Sequence, residues 1–187
     1  ALGLPRPENG YHGEYIVDLA KQITSKNPDF ISMEESKSII AFREAGYKLQ
    51  LELQKNVLDS FGTHFDVWFS ERSLYENNFF DHTLDKLKSN GHVYEQEGAV
   101  WLRTTDFGDD KDRVMIKSDG SFAYFASDSA YYISKRERGF NLCIYMLGAD
   151  HHGYVGRIKA IAACAGDDQD KDVEALIGQM VKIIEGG

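Results

Sequence analysis

The sequence contains little cysteine and proline, and it has no long apolar run. Cys143 and Cys164 are the 2 cysteines among 187 residues, and 3 residues are proline. This usage excludes a disulfide-rich secreted domain and favours small core thiols in a reducing compartment. No run approaches the roughly 20 apolar residues that a membrane helix needs, and no basic stretch followed by apolar residues opens the chain. The sequence therefore predicts a cytoplasmic protein without a membrane span or a signal peptide.

Positive charge is also scarce. The chain has 21 Lys and Arg against 30 Asp and Glu, a net charge of −9. A surface that binds nucleic acid through its phosphates is basic, so this balance argues against a dedicated DNA- or RNA-binding module. With 42% hydrophobic and 12% aromatic residues, the composition excludes intrinsic disorder.

The first part of the sequence has helical spacing. Apolar residues predict one helix that ends at Asn27 and Pro28, and a second that begins at a capping box of Ser32 and Glu35. The second helix is expected to end near Gly62. The aromatic-rich stretch 64–69 that follows is predicted to form a strand.

The middle of the chain carries turn signals between short apolar segments. A short helix is predicted to end at Asn90 and Gly91. Glu97 and Gly98 predict a hairpin between 93–94 and 100–102. Asp119 and Gly120 predict a second hairpin between 114–116 and 122–124.

The last third predicts a βαβ unit. A helix capped by Ser127 is expected to run to about Glu137, and the apolar run 142–147 indicates a buried parallel strand. Helical spacing then runs from 155 to 166, followed by a strand-like segment over 173–184. Ligands of open α/β sheets lie at the carboxyl ends of such strands, which places residues 148–153 at a candidate site.

Two groups of side chains suggest chemistry. Asp150, His151 and His152 follow the apolar strand and could converge on a ligand, although Asp150 could instead cap the next helix. Tyr124 and Asp128 are four residues apart, so a carboxylate beside a phenol could hold a cationic group. Asp128 could equally be a helix cap. Two further charged clusters read as solvated: the acidic turn Asp109, Asp110 and Asp112, and the basic Lys135, Arg136 and Arg138.

The segment Leu-Gly-Ala-Asp-His-His-Gly-Tyr-Val-Gly-Arg, residues 147–157, resembles arginyl-tRNA synthetases of bacterial type. Further segments resemble the same family, in its order along nearly the whole chain: 7–15, 65–71, 98–105, 108–114, 119–124, 128–131 and 178–181. The resemblance implies an α/β fold: the second half of a Rossmann-like class I synthetase catalytic fold with a mixed α+β insertion. Three parts are expected: a helical segment over 1–62, the insertion over 63–118, and the half-fold over 119–187.

The resemblance also implies a substrate for each group of residues. Asp128 matches the residue that pairs with the guanidinium of L-arginine, and Tyr124 matches one that flanks the substrate side chain. The resemblance places Asp150 and His152 in the lining of the arginine and adenylate pocket, although some members have Gln where this chain has Ala149 or Asp150. The residues expected at the nucleotide are Gly148, His151, Gly178, Met180 and Val181.

Two motifs of the family are absent from these 187 residues. Neither the His-x-Gly-His type of signature nor the Lys-Met-Ser-Lys-Ser-like loop occurs, although Gly186 and Gly187 stand about where that loop should approach. Both motifs bind the ATP phosphates and stabilise the charge that develops during adenylation. The resemblance therefore implies a central piece of an enzyme that uses ATP with magnesium, L-arginine and tRNA(Arg). By itself the piece should be inactive, without catalytic or metal-binding residues of its own.

Two alternatives remain open at this point. Asp150, His151 and His152 also resemble the signature of Asp-His-His phosphoesterases, which would bind manganese but need further carboxylates at earlier strand ends. A binding module without a catalytic site is the other alternative. Because half of a parallel sheet has open edges, self-association of the chain is also expected.

Overall fold

The computed structural model describes residues 10–11, 13–76, 78–182 and 184–185. The described residues fall into two compact units that divide between Trp68 and Phe69. In these ranges no helix is both long and apolar enough to cross a membrane. The three-part division at residues 62 and 118 stays a prediction. Of the segments quoted above, residues 7–9, 12 and 186–187 lie outside the description.

The first unit is helical, as the apolar spacing predicts. Helix α1 spans Glu14–Lys26, a 3-10 helix spans Pro28–Ser32, and helix α2 spans Glu35–Ser60. Ile23 is buried in this unit. Gly46 lies so close to α1 that an added Cβ would contact Ile23 and Leu19 side chains at 3.7 Å. A small residue at this position therefore lets the two helices approach each other.

Two expectations for the first unit are wrong. The capping box does not form because Ser32 belongs to the 3-10 helix; α2 begins after Glu34, which makes no side-chain cap bond. The segment 64–69 has no strand pairing. Instead the rings of Phe65 and Trp68 pack edge to face at 5.3 Å, and the Lys55 ammonium lies over Trp68. The aromatic residues thus pack with each other rather than within a sheet.

The second unit begins with two helices and a β-hairpin. Helices α3 (Arg72–Glu76) and α4 (Phe79–Ser89) precede strands β1 (Val93–Gln96) and β2 (Ala99–Leu102). The strands pair antiparallel around Glu97 and Gly98. Both loop residues have positive φ, 53° and 75°, as a two-residue type I′ turn requires. This confirms the first predicted hairpin.

The second predicted hairpin is cut short by a helix. Strand β3 (Arg113–Ile116) pairs antiparallel with β2, but after the turn at Gly120 only Phe122 bridges back to Ile116. Helix α5 (Tyr124–Glu137) begins immediately. It starts after Ala123 without a side-chain cap bond, so the predicted cap Ser127 lies one turn inside the helix and is buried.

The predicted βαβ unit is present. Strands β4 (Cys143–Gly148) and β5 (Val173–Gly178) pair in parallel, and helix α6 (Val155–Cys164) connects them. Strand β5 ends at Gly178 and does not continue to 184. β4 is also not buried throughout: its residues alternate, and Met146 is 82% exposed. One face of the strand packs on the core while the other faces outward.

A single hydrophobic core joins the helices, the hairpin and the βαβ unit of the second unit. Its largest fully buried side chains are Leu87, Leu102, Met115, Tyr132, Ile133 and Ile161. The Asn90 side chain at the end of α4 donates to the Cys164 carbonyl at the end of α6, at 2.9 Å. Residues on both sides of position 118 therefore share one packed interior.

The acidic cluster 109–112 and the basic cluster 135–138, both predicted to be solvated, instead contain residues that form ion pairs. The Asp109 side chain is 4% exposed, and the Arg113 guanidinium binds it in a bidentate pair at 2.6 and 2.7 Å. Arg136 pairs in the same way with Asp167. These charges hold loops to the core because each guanidinium matches the carboxylate fork.

The Asp109 pair predicts an acid-sensitive contribution to stability. Burial alone would raise the pKa of Asp109, but hydrogen bonds from Arg113 and the Asp110 amide lower it from 3.8 to about 2. Since the folded pKa is the lower one, this stabilisation is present above about pH 4 and lost as the pH falls towards 2. At pH 5 we expect the free energy of unfolding of the wild type to exceed that of Asp109→Asn by roughly 1–2 kcal/mol because of the lowered pKa, allowing for solvent screening. Urea denaturation should show that difference narrow by pH 2; a constant difference would contradict it.

Candidate functional site

One face of α5 forms the main wall of a cavity of about 280 Å³. Residues three, four and seven positions apart lie on the same side of a helix, so Tyr124, Ser127, Asp128 and Tyr131 point into one space. The segment at the start of the second unit supplies the rest of the wall, Phe69 and Glu71. The structure thus brings the predicted pair Tyr124 and Asp128 together.

Asp128 is a half-buried carboxylate and not a helix cap. It lies in the second turn of α5 and accepts a hydrogen bond from the Tyr154 hydroxyl. Burial raises the pKa of Asp128; the bond from Tyr154 opposes this effect, and the charge of Glu71 adds to it. Two carboxylates that share a cavity favour a cation between them, because a positive charge relieves both the burial and the repulsion.

Aromatic rings form the sides of the cavity. Phe69 and Tyr131 stack with ring centroids 4.5 Å apart, and Tyr124 is 92% exposed at the edge. The Lys135 ammonium lies 4.0 Å from the ring centroid of Tyr131. A planar cation could enter between carboxylates and ring faces, where charge and π contacts both stabilise it.

The residues after β4 form a 3-10 helix, Ala149–Tyr154. Asp150, His151 and His152 are exposed here, and a carboxylate oxygen of Asp150 lies 3.5 Å from a ring nitrogen of His151. Asp150 does not cap α6, whose N-cap residue is Tyr154. Through Tyr154 this turn is hydrogen-bonded to Asp128, so the strand-end loop and the α5 cavity are physically connected.

The two predicted glycines are neighbours. Gly148 and Gly178 are register partners at the carboxyl ends of β4 and β5. An added Cβ at Gly148 would lie 2.5 Å from a carboxylate oxygen of Asp150. Met180 and Val181 follow β5 outside any strand, 85% and 87% exposed. The bare strand ends leave backbone accessible beside the loop.

Sequence reasoning missed several members of this site. Phe69 ends the segment 64–69, where a strand was expected, and Glu71 lies two residues after it. Tyr131 and Tyr154 both stand within quoted motifs, and Tyr131 follows Asp128 by three residues, a helical spacing that could have identified it. Only the tertiary structure shows that Tyr154 contacts Asp128.

The residues that the structure describes include no group of three or more His, Cys, Asp or Glu arranged to hold a metal ion. A two-metal phosphoesterase needs such a group. The alternative that rested on Asp150, His151 and His152 is therefore not supported.

The architecture is that of a class I aminoacyl-tRNA synthetase catalytic domain. An arginyl-tRNA synthetase of Thermus thermophilus has the same fold over 87% of this chain, with a TM-score of 0.59 at 14% identity. Residues 15–184 match the family described as tRNA synthetases class I (R), catalytic domain, and the chain belongs to this family. This confirms the predicted fold class.

Relatives with higher identity are described as arginine–tRNA ligases or arginyl-tRNA synthetases. The arginine–tRNA ligase of Renibacterium salmoninarum is 52% identical over 181 residues, 97% of this chain and 33% of the relative. That of Frankia alni is 48% identical over 187 residues, all of this chain and 34% of the relative. A Campylobacter jejuni structure assigned as an arginyl-tRNA synthetase matches 95% of this chain and 38% of its own, with a TM-score of 0.84 at 40% identity. The chain thus spans about a third of the length of the curated relatives.

Proposed function

We propose that this chain supplies the arginine-binding part of an arginine–tRNA ligase, which activates L-arginine with ATP and transfers it to tRNA(Arg). The observation that carries the proposal is the α5 cavity, where Asp128 and Glu71 stand beside stacked aromatic rings. A guanidinium is planar, permanently charged and able to donate two parallel hydrogen bonds to a carboxylate. The cavity offers that group two carboxylates and flat aromatic faces.

In this proposal each residue has a distinct role. Asp128 accepts hydrogen bonds from the guanidinium, and Glu71 adds the second negative charge. Tyr124 covers the aliphatic part of the substrate from the edge. Tyr154 holds the Asp128 carboxylate in place by its hydrogen bond. Binding would favour the ionised form of Asp128, whose pKa is raised by burial in the free protein.

The ends of β4 and β5 are proposed to face the adenylate. Gly148 and Gly178 are exposed register partners without side chains, and the Asp150 carboxylate lies beside Gly148. Open α/β sheets bind ligands at this edge. Asp150 and His152 would line the arginine and adenylate pocket. His151, Met180 and Val181 would lie along the nucleotide. Magnesium would enter as part of the ATP substrate.

The chain alone is proposed to be inactive. The motifs that hold the ATP phosphates are absent from these 187 residues, so the developing charge of adenylation lacks its stabilising groups. We expect no ATP–pyrophosphate exchange above background in the presence of L-arginine. A cytoplasmic location and self-association of the chain accompany this proposal as predictions.

The test of the proposed function is ligand selectivity. Titration of the chain, followed by two-dimensional NMR, should show saturable binding of L-arginine at least about 10-fold tighter than L-citrulline, which has the same shape without the charge. L-Lysine should also bind more weakly, because an ammonium cannot form the bidentate pair. Equal affinities for arginine and citrulline would refute a guanidinium site. Robust pyrophosphate exchange would refute the predicted inactivity of the chain alone.

A further inference from the structure

A row of four side chains runs from the cavity wall into the interior. Phe69 stacks on Tyr131 at 4.5 Å. The Lys135 ammonium lies 4.0 Å from the ring centroid of Tyr131 and 3.9 Å from that of Tyr145. The first two members line the cavity, and the last belongs to β4. A lysine between two rings is therefore part of the support behind the aromatic wall.

The position of Lys135 is costly without a compensating role. Burial lowers its pKa to about 8, and burial also raises the pKa of Tyr145. Cation–π contacts are stronger for a desolvated ammonium than for an exposed one, and they vanish when the amine loses its proton. The protonated Lys135 therefore makes a favourable contact with each of the two rings that the neutral amine would lack.

Lys135 also acts on Asp128. The two side chains are on the same helix, seven residues apart, and their charges favour each other's ionised forms. The other groups that influence Lys135 are Arg138 at the end of α5 and Cys143 on β4. The other groups that influence the pKa of Asp128 are Tyr154, Glu71 and Arg157. Lys135 differs from them in that it also contacts the Tyr131 ring of the cavity wall.

We propose that Lys135 is a positioning residue of the arginine cavity, whose ammonium between Tyr131 and Tyr145 fixes the aromatic wall beside Asp128. This inference rests on the proposed function, since it assigns Lys135 a part in guanidinium binding without contact to the substrate. A role in stability alone would leave the charge of Asp128 untouched.

The experiment compares Lys135→Met, Lys135→Arg and the control Arg138→Met in the full chain. The carboxyl ¹³C signal of Asp128 gives its pKa, and an NMR titration gives the dissociation constant of L-arginine at pH 7. We expect Lys135→Met to raise the Asp128 pKa by about half a unit or more and to weaken arginine binding about 10-fold. Lys135→Arg should leave the Asp128 pKa close to that of the wild type and the dissociation constant within about twofold, because arginine retains the charge and stacks on aromatic rings. Arg138→Met should change the Asp128 pKa and the arginine affinity less than Lys135→Met does.

A second measurement needs no variant. In wild type the Asp128 and Tyr131 signals should shift together near pH 8, as Lys135 loses its proton. If the Asp128 pKa and the arginine affinity are unchanged in Lys135→Met, the inference is overturned. If Lys135→Met does not fold, a wild-type Asp128 signal that stays constant between pH 7 and 9 overturns it instead. If wild type binds no arginine but the Asp128 signal responds to Lys135, the proposed function fails while the positioning role stands.

Discussion

Asp128→Asn is expected to weaken L-arginine binding by about 100-fold or more. The substitution keeps the size of the side chain and an acceptor for the Tyr154 hydroxyl, but it removes the charge that faces the guanidinium. Removing one partner of a desolvated charge pair costs about 2–5 kcal/mol of binding free energy, and about 3 kcal/mol corresponds to 100-fold or more. NMR titration with L-arginine measures the change.

The control for this variant is Asp85→Asn, an exposed aspartate on α4. It makes the same change of net charge away from the cavity and should leave the affinity within about twofold. The affinity for L-citrulline should change little in Asp128→Asn, because the neutral ligand gains little from the carboxylate. Arginine binding that survives Asp128→Asn unchanged would show that the guanidinium site lies elsewhere.

Arg113→Met is expected to destabilise the second unit by about 3–5 kcal/mol. The Arg113 side chain is 10% exposed and the Asp109 side chain 4%, so the substitution leaves a carboxylate buried without its guanidinium partner. The hydrogen bond from Arg113 is the largest of those that lower the pKa of Asp109, and the substitution removes it. Chemical denaturation followed by circular dichroism gives the free energy of unfolding.

A matched control and a double variant separate charge from packing. Asp110 also contacts Arg113 but is 73% exposed, so Asp110→Asn should cost less than about 1 kcal/mol. Arg113→Met combined with Asp109→Leu should recover much of the stability, because replacing both members of a buried pair by apolar residues is often neutral. If Asp110→Asn were as damaging as Arg113→Met, the buried pair would not be the source of the effect.

The elements that the sequence predicts are those determined by local signals. Gly98 adopts a positive φ that glycine reaches without a Cβ clash, and Glu97 adopts φ 53° in the same turn, so the first hairpin forms as predicted. The apolar run before Gly148 and the helical spacing after it are enough to predict the βαβ unit. Each of these depends on residues close together in the chain, where turn chemistry and periodicity operate.

The failures come from tertiary contacts. Residues 64–69 have strand propensity, but propensity forms a strand only beside a hydrogen-bonded neighbour. Helix α5 begins one turn before Ser127, and this start places Tyr124 and Asp128 on the cavity wall. Asp109 belongs to an acidic run that is usually solvated, yet Arg113 four residues later buries it. No local pattern shows that Tyr154 and Asp128, 26 residues apart, form a hydrogen bond.

The paired glycines at the ends of β4 and β5 bear on how this site can evolve. Gly148 and Gly178 are register partners on neighbouring strands, so a ligand that approached these strand ends would meet peptide groups beside the Asp150 carboxylate. A substitution cannot remove a peptide group; it can only obstruct it, as a methyl at Gly148 would when it met Asp150. The contribution of this edge would therefore persist when neighbouring residues change, and selectivity would be altered through the side chains around it, on α5 and in the loop after β4.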